Sequence, residues 1–111
     1  MRRAPIPVRL DVQVDHRLPE RIEVAAYYIV GEALTNVAKH ARASFATVDV
    51  RATAEVLSIT VADDGVGGAD PARGSGLLGL RDRVEAIGGT ISLISPPEGT
   101  TVSADLPITQ P

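Results

Sequence analysis

Glycines are unevenly distributed in this chain of 111 residues: six of the ten fall between residues 65 and 79. They follow a strand-like stretch, VLSITVADD, and run into a helix-like stretch, LLGLRDRVEAIGG. Glycine tolerates positive φ and has no Cβ, so such a cluster indicates a backbone that turns sharply where something comes close. The sequence therefore predicts a strand-to-helix connection with a close approach to the main chain.

The segments around the glycines have regular periodicity. Residues 8–14 alternate apolar and polar side chains, which is typical of a half-buried strand with Val8, Leu10, Val12 and Val14 inward. Residues 18–41 predict a long helix, because Pro19 suits a first turn and Glu20 and Glu23 lie near the positive end of the dipole. The other predicted elements are strands at residues 45–54, 56–64, 90–95 and 100–107, and a second helix at residues 77–87 that is stopped by Gly88 and Gly89.

The order of these elements is strand, helix, two strands, glycine-rich loop, helix, two strands. Few helices and strands in runs of two predict an α+β fold, a two-layer α/β sandwich. We expect a mixed, mostly antiparallel sheet of about five strands, covered on one face by two to three helices. The length allows a single domain, residues 1–111, with its core at about 8–107.

Composition excludes several classes of function. Only 3% of the residues are aromatic and the net charge is -3, so the chain offers neither a base-stacking platform nor a basic surface for nucleic acid. No cysteine is present, which suits a reducing compartment. The apolar runs are too short to span a membrane, and no apolar region follows the N-terminal arginines. We expect a soluble, unexported domain without nucleic-acid or membrane contacts.

One edge of the long helix carries three polar side chains that border its apolar side. Glu32, Asn36 and Lys39 fall within about 60° of each other at helical spacing. A carboxylate, an amide and an ammonium can accept a proton, bind Mg²⁺ and neutralise phosphate, respectively. The alternative is an ordinary solvated helix edge. The apolar side of the helix is predicted to comprise Ile22, Ala26, Ile29, Ala33, Val37 and Ala41.

The glycine-rich segment strengthens the functional interpretation. The strand before it ends in Asp63 and Asp64, and a carboxylate there can accept a hydrogen bond from an exocyclic amine. Free N–H groups at the start of the second helix favour phosphate oxygens. Two glycine clusters around a short polar loop therefore look like a nucleotide pocket. Neither a P-loop nor a Rossmann motif in its proper context is present, although GSGLLG matches G-x-G-x-x-G literally.

Four motifs in order give the chain a family resemblance. EALTNVAKHA resembles the N-box, DDGVGG and GSGLLGL the two glycine boxes, and EGTTVSADLP the closing Gly-Thr strand of the Bergerat-fold ATPases. That superfamily includes gyrase, chaperones of the ninety-kilodalton heat-shock class, histidine kinases and mismatch-repair proteins. Within it, the chain most resembles the catalytic and ATP-binding domain of sensor histidine kinases related to nitrate and desaturase sensors.

The resemblance implies a role for each matching residue. Asn36 would ligate Mg²⁺, Glu32 would orient a metal-bound water or assist the nucleophile as base, and Lys39 and His40 would contact phosphate. Asp63 would accept a hydrogen bond from the adenine amino group, with Thr100 helping at the adenine through water. The remaining residues implied to bind the nucleotide are Gly65, Gly67, Gly74, Gly76, Leu77 and Gly79. The lid between the glycine boxes is very short, and Asp64 stands where the family often has Asn.

The resemblance also implies an activity and partners. The domain would bind ATP and Mg²⁺ and donate the γ-phosphoryl group to a histidine on a separate dimerisation and phosphoacceptor domain, with a response regulator downstream. His16 is expected in a surface loop and His40 on the phosphate side, so neither is the acceptor. We therefore expect a cytoplasmic catalytic domain excised from a longer kinase, with the parent either soluble or membrane-anchored. The alternatives are a serine kinase of the anti-sigma-factor type and a degenerate domain that only binds nucleotide.

Overall fold

The computed structural model of the protein describes residues 7–36, 44–66, 75–94 and 98–109. Within these ranges the chain forms five strands and two helices. In chain order they are β1 (Val8–Gln13), α1 (Glu20–Asn36), β2 (Ala46–Ala52), β3 (Val56–Val66), α2 (Ser75–Ala86), β4 (Thr90–Ile94) and β5 (Glu98–Pro107).

All five strands belong to one sheet in the order β1-β2-β3-β5-β4. β1 and β2 are parallel, and the other neighbouring pairs are antiparallel. β2 and β3 form a hairpin, in which the Thr53 hydroxyl accepts hydrogen bonds from the amides of Glu55 and Val56. The predicted fold class, a two-layer sandwich with a mixed and mostly antiparallel sheet, is confirmed.

The core lies between one face of the sheet and the two helices. Leu57, Ile59 and Val61 alternate along β3 toward the helices, and each is at most 2% exposed. Ile29 and Ala33 of α1 are buried against this face. The predicted apolar side of the first helix is thus confirmed at its described buried members, whereas Val37 and Ala41 lie outside the described residues. The rest of the buried core comprises Ile22, Val48, Leu80, Val84, Val102, Ala104, Leu106 and Ile108.

Of the four residues expected to face inward on the first strand, Val14, just after β1, packs against the core, whereas the expectation is wrong for the other three. Val8, Leu10 and Val12 alternate as predicted, but they are 44%, 64% and 53% exposed. The reason is the placement of the helices: α1 packs on β3 and α2 packs on β4, so neither described helix covers β1 at the edge of the sheet. Alternation identified the strand correctly but could not show whether a second layer reaches it.

Several boundaries also differ from the prediction: β2 spans Ala46–Ala52 and not 45–54, and β3 extends to Val66 and not to 64. α2 begins at Ser75, two residues before the predicted start, and β5 begins at Glu98, within the stretch assigned to a turn. The predicted end of α2 is confirmed, because Gly88 has a φ of 80° and its amide donates to the Glu85 carbonyl. Residues 37–41, which the prediction added to the first helix, lie outside the described residues.

Candidate nucleotide-binding site

Asp63 is the last residue of β3 that is regularly paired on both sides. It lies opposite Ala46 on β2 and opposite Thr100 on β5. Beyond it the register between β3 and β5 shifts before pairing resumes at Val66. Asp63 continues the helix-facing series of Ile59 and Val61, because alternate residues of a strand share one face. Its carboxyl group therefore belongs to the edge of the core, below the helices.

Partial burial and one hydrogen bond fix the orientation of the Asp63 carboxylate, which remains a hydrogen-bond acceptor. The side chain is partly buried, and its Oδ1 accepts a hydrogen bond of 2.8 Å from the Gly65 amide. Burial raises the pKa of Asp63 above the usual value, the neighbouring charge of Asp64 adds to this, and the Gly65 hydrogen bond opposes it. A partly desolvated carboxylate favours a ligand that donates a hydrogen bond to it.

The strand facing Asp63 is built for a close approach. Thr100 is 6% exposed and is the one polar residue among the described positions that is buried. Before it, Gly99 has a φ of 88°, and a Cβ there would lie 2.6 Å from the Asp63 carbonyl oxygen. A side chain at position 99 would therefore force β3 and β5 apart next to the Asp63–Thr100 pair. The Gly-Thr motif was predicted from the resemblance, but the contact of Gly99 with Asp63 was not.

Asp64 makes contacts that the sequence did not suggest. Its carboxylate accepts hydrogen bonds from the amides of Ser44 and Phe45 and from the Ser44 hydroxyl. These bonds lower the pKa of Asp64, with the Ser44 hydroxyl bond the largest cause. The sequence places Ser44 just before β2 and Asp64 near the end of β3. Predicting that the two are in contact also requires the register of the hairpin.

On α1, Glu32 and Asn36 lie one helical turn apart on the helix that packs on β3. Glu32 is half-buried beside Ala33, which is 2% exposed, so it borders the core as the sequence predicted. Asn36 is the last residue of α1.

The second glycine cluster is partly helical. Gly76, Leu77 and Gly79 lie in the first turns of α2 and not in a loop before it. A Cβ at Gly79 would meet nothing within 4 Å, so no contact of the described protein requires glycine there. A helix start rich in glycine leaves its amide groups accessible to an anion.

Four of the predicted site residues lie outside the described residues: Lys39, His40, Gly67 and Gly74. Their predicted contacts with the nucleotide remain predictions. The other histidine, His16, is exposed, and its Nδ1 lies 2.9 Å from Asp15 Oδ1, so its predicted surface position is confirmed.

The donor set is compatible with a magnesium ion held mainly by a nucleotide. Within the described part of the chain, no three His, Cys, Asp or Glu side chains cluster as metal ligands. Mg²⁺ in phosphoryl-transfer sites commonly has one or two protein ligands and takes the others from phosphates and water. Glu32 and Asn36 offer oxygen donors of the hard type that Mg²⁺ prefers.

These features together define an α+β nucleotide-binding domain, with an acidic acceptor at the end of a central strand and a half-buried glutamate on the helix that packs on that strand. Residues 21–110 match the family described as histidine kinase-, DNA gyrase B-, and HSP90-like ATPase. The chain belongs to this family, and its membership implies the use of ATP. The resemblance to the Bergerat-fold ATPases is thereby confirmed, and the relatives below confirm the resemblance to sensor histidine kinases.

Similar sequences carry the same assignment. The chain is 36% identical over 108 residues to the sensor histidine kinase NarS of Mycobacterium tuberculosis, covering 91% of this chain and 25% of NarS. It is 40% identical over 101 residues to the histidine-protein kinase/phosphatase UhpB of Salmonella typhimurium, covering 88% of this chain and 20% of UhpB. The chain thus spans a quarter or less of the length of these two relatives.

Solved structures agree with the sequence comparison. The blue-light activated histidine kinase of Erythrobacter litoralis superposes with a TM-score of 0.77 at 30% identity, covering 93% of this chain and 36% of that protein. The histidine kinase AdeS of Acinetobacter baumannii is only 17% identical but has a TM-score of 0.73 over 95% of this chain and 55% of its own, so it shares the fold.

None of the helices in the described residues has the length and apolar character needed to cross a bilayer.

Proposed function

We propose that this domain binds ATP with Mg²⁺ and donates the γ-phosphoryl group to a histidine on a separate phosphoacceptor domain. The observation that carries the proposal is the Asp63–Thr100 pair, in which a partly buried carboxylate lies opposite a buried threonine. The amino group of adenine is a hydrogen-bond donor, and an oriented carboxylate such as that of Asp63 can accept its hydrogen bond. The names of the relatives support histidine as the phosphorylated residue.

At the adenine end, Asp63 accepts the hydrogen bond from the amino group. The Gly65 amide already occupies one lone-pair site of Oδ1, which orients the carboxylate and leaves other sites for the base. Thr100 assists at the adenine. Gly65 and Gly67 leave the main chain open for the nucleotide to approach.

At the phosphate end, Asn36 binds Mg²⁺, and Lys39 and His40 contact phosphate oxygens. When bound there, Mg²⁺ would neutralise the phosphate charge that develops during transfer. The residues proposed to shape this end are Gly74, Gly76, Leu77 and Gly79.

In the transfer step, the lone pair of an imidazole nitrogen attacks the γ-phosphorus while the bond from that phosphorus to the β,γ-bridging oxygen breaks. ADP leaves, and the ring loses the proton from its other nitrogen. Glu32 assists as the base that accepts it.

The parent protein is proposed to be a two-component sensor kinase with this domain in the cytoplasm. The acceptor histidine lies on a dimerising helical domain, and a response regulator receives the phosphoryl group from it. Residues 1–111 are proposed to be a single domain with its core at about 8–107.

Nucleotide binding is tested by calorimetric titration with a nonhydrolysable ATP analogue, with and without Mg²⁺. Loss of a charged hydrogen-bond acceptor predicts that Asp63→Ala binds about 10- to 100-fold more weakly. Asp105→Ala is the matched control, because Asp105 is an exposed aspartate on β5 that faces away from the helices. Equal binding by wild type and Asp63→Ala would contradict the adenine contact.

Phosphoryl transfer is tested by mixing the domain with a helical-hairpin partner from a sensor kinase and radiolabelled ATP. The expected product is acid-labile and alkali-stable, as phosphohistidine is, and Asn36→Ala should form it more slowly. An acid-stable phosphoester on serine would favour the serine-kinase alternative, and transfer by Asn36→Ala at the wild-type rate would contradict the Mg²⁺ assignment.

A further inference from the structure

The carboxylate of Asp64 connects the end of β3 to the start of β2. Its Oδ1 accepts hydrogen bonds from the Ser44 amide at 3.0 Å and the Phe45 amide at 3.1 Å. Its Oδ2 accepts a bond of 2.6 Å from the Ser44 hydroxyl. The Asp64 amide in turn donates to the Phe45 carbonyl at 3.3 Å. One exposed side chain therefore takes up three donors from two consecutive residues.

These bonds lie where the regular sheet stops. Pairing between β2 and β3 ends at Ala46 and Asp63, one position before Asp64. On the other side, the register between β3 and β5 shifts between Asp63 and Val66. Register shifts of this kind occur next to active sites, where they re-aim a side chain. Because the ladder to β5 is interrupted at Asp64, the contacts with Ser44 and Phe45 hold β3 at this point from the β2 side.

Holding Asp64 also fixes the direction of Asp63. Consecutive side chains of a strand point to opposite faces, so a strand that cannot rotate at Asp64 cannot rotate at Asp63. Asp63 is held by two further contacts, the Gly65 amide on its carboxylate and the close passage of Gly99 at its carbonyl. The acceptor proposed for adenine is thus fixed by β5 on one side and by Asp64 on the other.

We propose that Asp64 is a positioning residue of the nucleotide site, which orients Asp63 through its hydrogen bonds to Ser44 and Phe45. This inference rests on the proposed function, because Asp63 is the group that it positions. Asp64 touches no substrate in this role.

Asparagine at position 64 keeps the same contacts without the charge. The amide oxygen can accept from the Ser44 and Phe45 amides, as Oδ1 of Asp64 does. The amide nitrogen can donate to the Ser44 hydroxyl, which both donates and accepts. Alanine removes all three bonds, so comparing the two substitutions separates hydrogen bonding from charge.

The test is a titration with a nonhydrolysable ATP analogue and Mg²⁺ for wild type, Asp64→Ala and Asp64→Asn. Misplacement of a binding group predicts an affinity at least about tenfold lower for Asp64→Ala, while Asp64→Asn stays within about twofold of wild type. Glu55→Ala is the control, since it removes an exposed acidic side chain at the opposite end of β3. Wild-type affinity in folded Asp64→Ala, or equal loss in both Asp64 variants, would overturn the proposal.

Ser44→Ala provides a milder variant that loses only the hydroxyl bond. We expect it to weaken binding in the wild-type background but to add nothing in Asp64→Ala, because both changes remove the same contact. Additive losses in the double variant would contradict the proposed contact. If Asp64→Ala does not fold, Ser44→Ala and Asp64→Asn decide the question by themselves.

The Gly65 amide gives a readout that needs no nucleotide. It donates to Asp63 Oδ1, so its hydrogen exchange reports whether the Asp63 carboxylate is held in place. Exchange should be faster in Asp64→Ala and, to a smaller extent, in Ser44→Ala, and remain close to wild type in Asp64→Asn. A wild-type domain that binds no nucleotide would refute the proposed function, whereas unchanged Gly65 exchange in Asp64→Ala would refute the positioning role alone.

Discussion

The main chain of Gly99 passes so close to Asp63 that a Cβ at position 99 would lie 2.6 Å from the Asp63 carbonyl oxygen. Gly99 also has a φ of 88°, a backbone angle that residues with a Cβ rarely adopt. The two residues lie on neighbouring strands next to the Asp63–Thr100 pair. The glycine therefore sets the spacing of β3 and β5 at the candidate adenine end.

Gly99→Ala should lower both stability and nucleotide affinity. The positive φ and the close contact each disfavour a Cβ, and together they predict a free energy of unfolding lower by about 1–3 kcal/mol. Because the clash moves Asp63, affinity for the ATP analogue should fall as well. Denaturant unfolding and calorimetric titration measure the two effects. A variant as stable as wild type would contradict the close approach.

Two helical glycines provide a matched pair for the phosphate end. Gly31 in α1 and Gly79 in α2 both have open space where a Cβ would be. Alanine at either position should raise the free energy of unfolding by about 0.5–1 kcal/mol, because it restricts the unfolded chain and favours helix. Gly79→Ala alone should weaken binding of the ATP analogue, since only Gly79 is proposed to shape the phosphate end. Equal affinity in both variants would remove Gly79 from the site.

The raised pKa of Asp63 predicts a contribution to the free energy of unfolding that falls as the pH rises. Its pKa is raised in the folded protein, mainly by burial, so the stability associated with its protonated form is fully present below the usual pKa of 3.8. That stability is lost as the pH rises through the folded pKa. Wild type should therefore lose stability relative to Asp63→Asn across this window. Denaturant unfolding at a series of pH values measures the difference, and a constant difference would contradict the raised pKa.

The lowered pKa of Asp64 predicts a pH dependence of stability with the opposite sign. Its pKa is lowered, with the Ser44 hydroxyl as the largest cause, so its contribution is present above 3.8 and is lost as the pH falls through the folded pKa. Wild type should lose stability relative to Asp64→Asn on acidification. The same pH series measures it. A difference of the same sign as that of Asp63→Asn would show that the Ser44 and Phe45 bonds do not hold the charged form.

The sequence predicted the order and type of every described helix and strand because periodicity depends on the local chain. The alternation of Leu57, Ile59 and Val61 and the helical spacing of Ile29 and Ala33 correspond to buried faces. What the sequence could not show was how far the helices extend over the sheet. Leu10 has the same alternating pattern as Leu57, but it lies in the edge strand that no described helix covers.

For the candidate site, the sequence indicated the residue types but not the contacts. Asp63, Gly65 and Thr100 were identified from a motif, and the structure brings all three to the same end of the sheet. The contacts of Ser44 with Asp64 and of Gly99 with Asp63 depend on strand register. Register is set by the whole hairpin and its neighbours, so no single motif reveals these contacts.

Truncation of one leucine in β1 and one in β3 should change the stability of the protein by very different amounts. Leu10 in β1 is 64% exposed and Leu57 in β3 is fully buried. Leu57→Ala should lower the free energy of unfolding by about 2–5 kcal/mol, because it removes buried methyl groups and leaves a cavity. Leu10→Ala removes the same atoms from the surface and should change it by no more than about 0.5 kcal/mol. Denaturant unfolding of both variants measures the contrast. A cost at Leu10 close to that at Leu57 would mean that another layer covers β1 in solution.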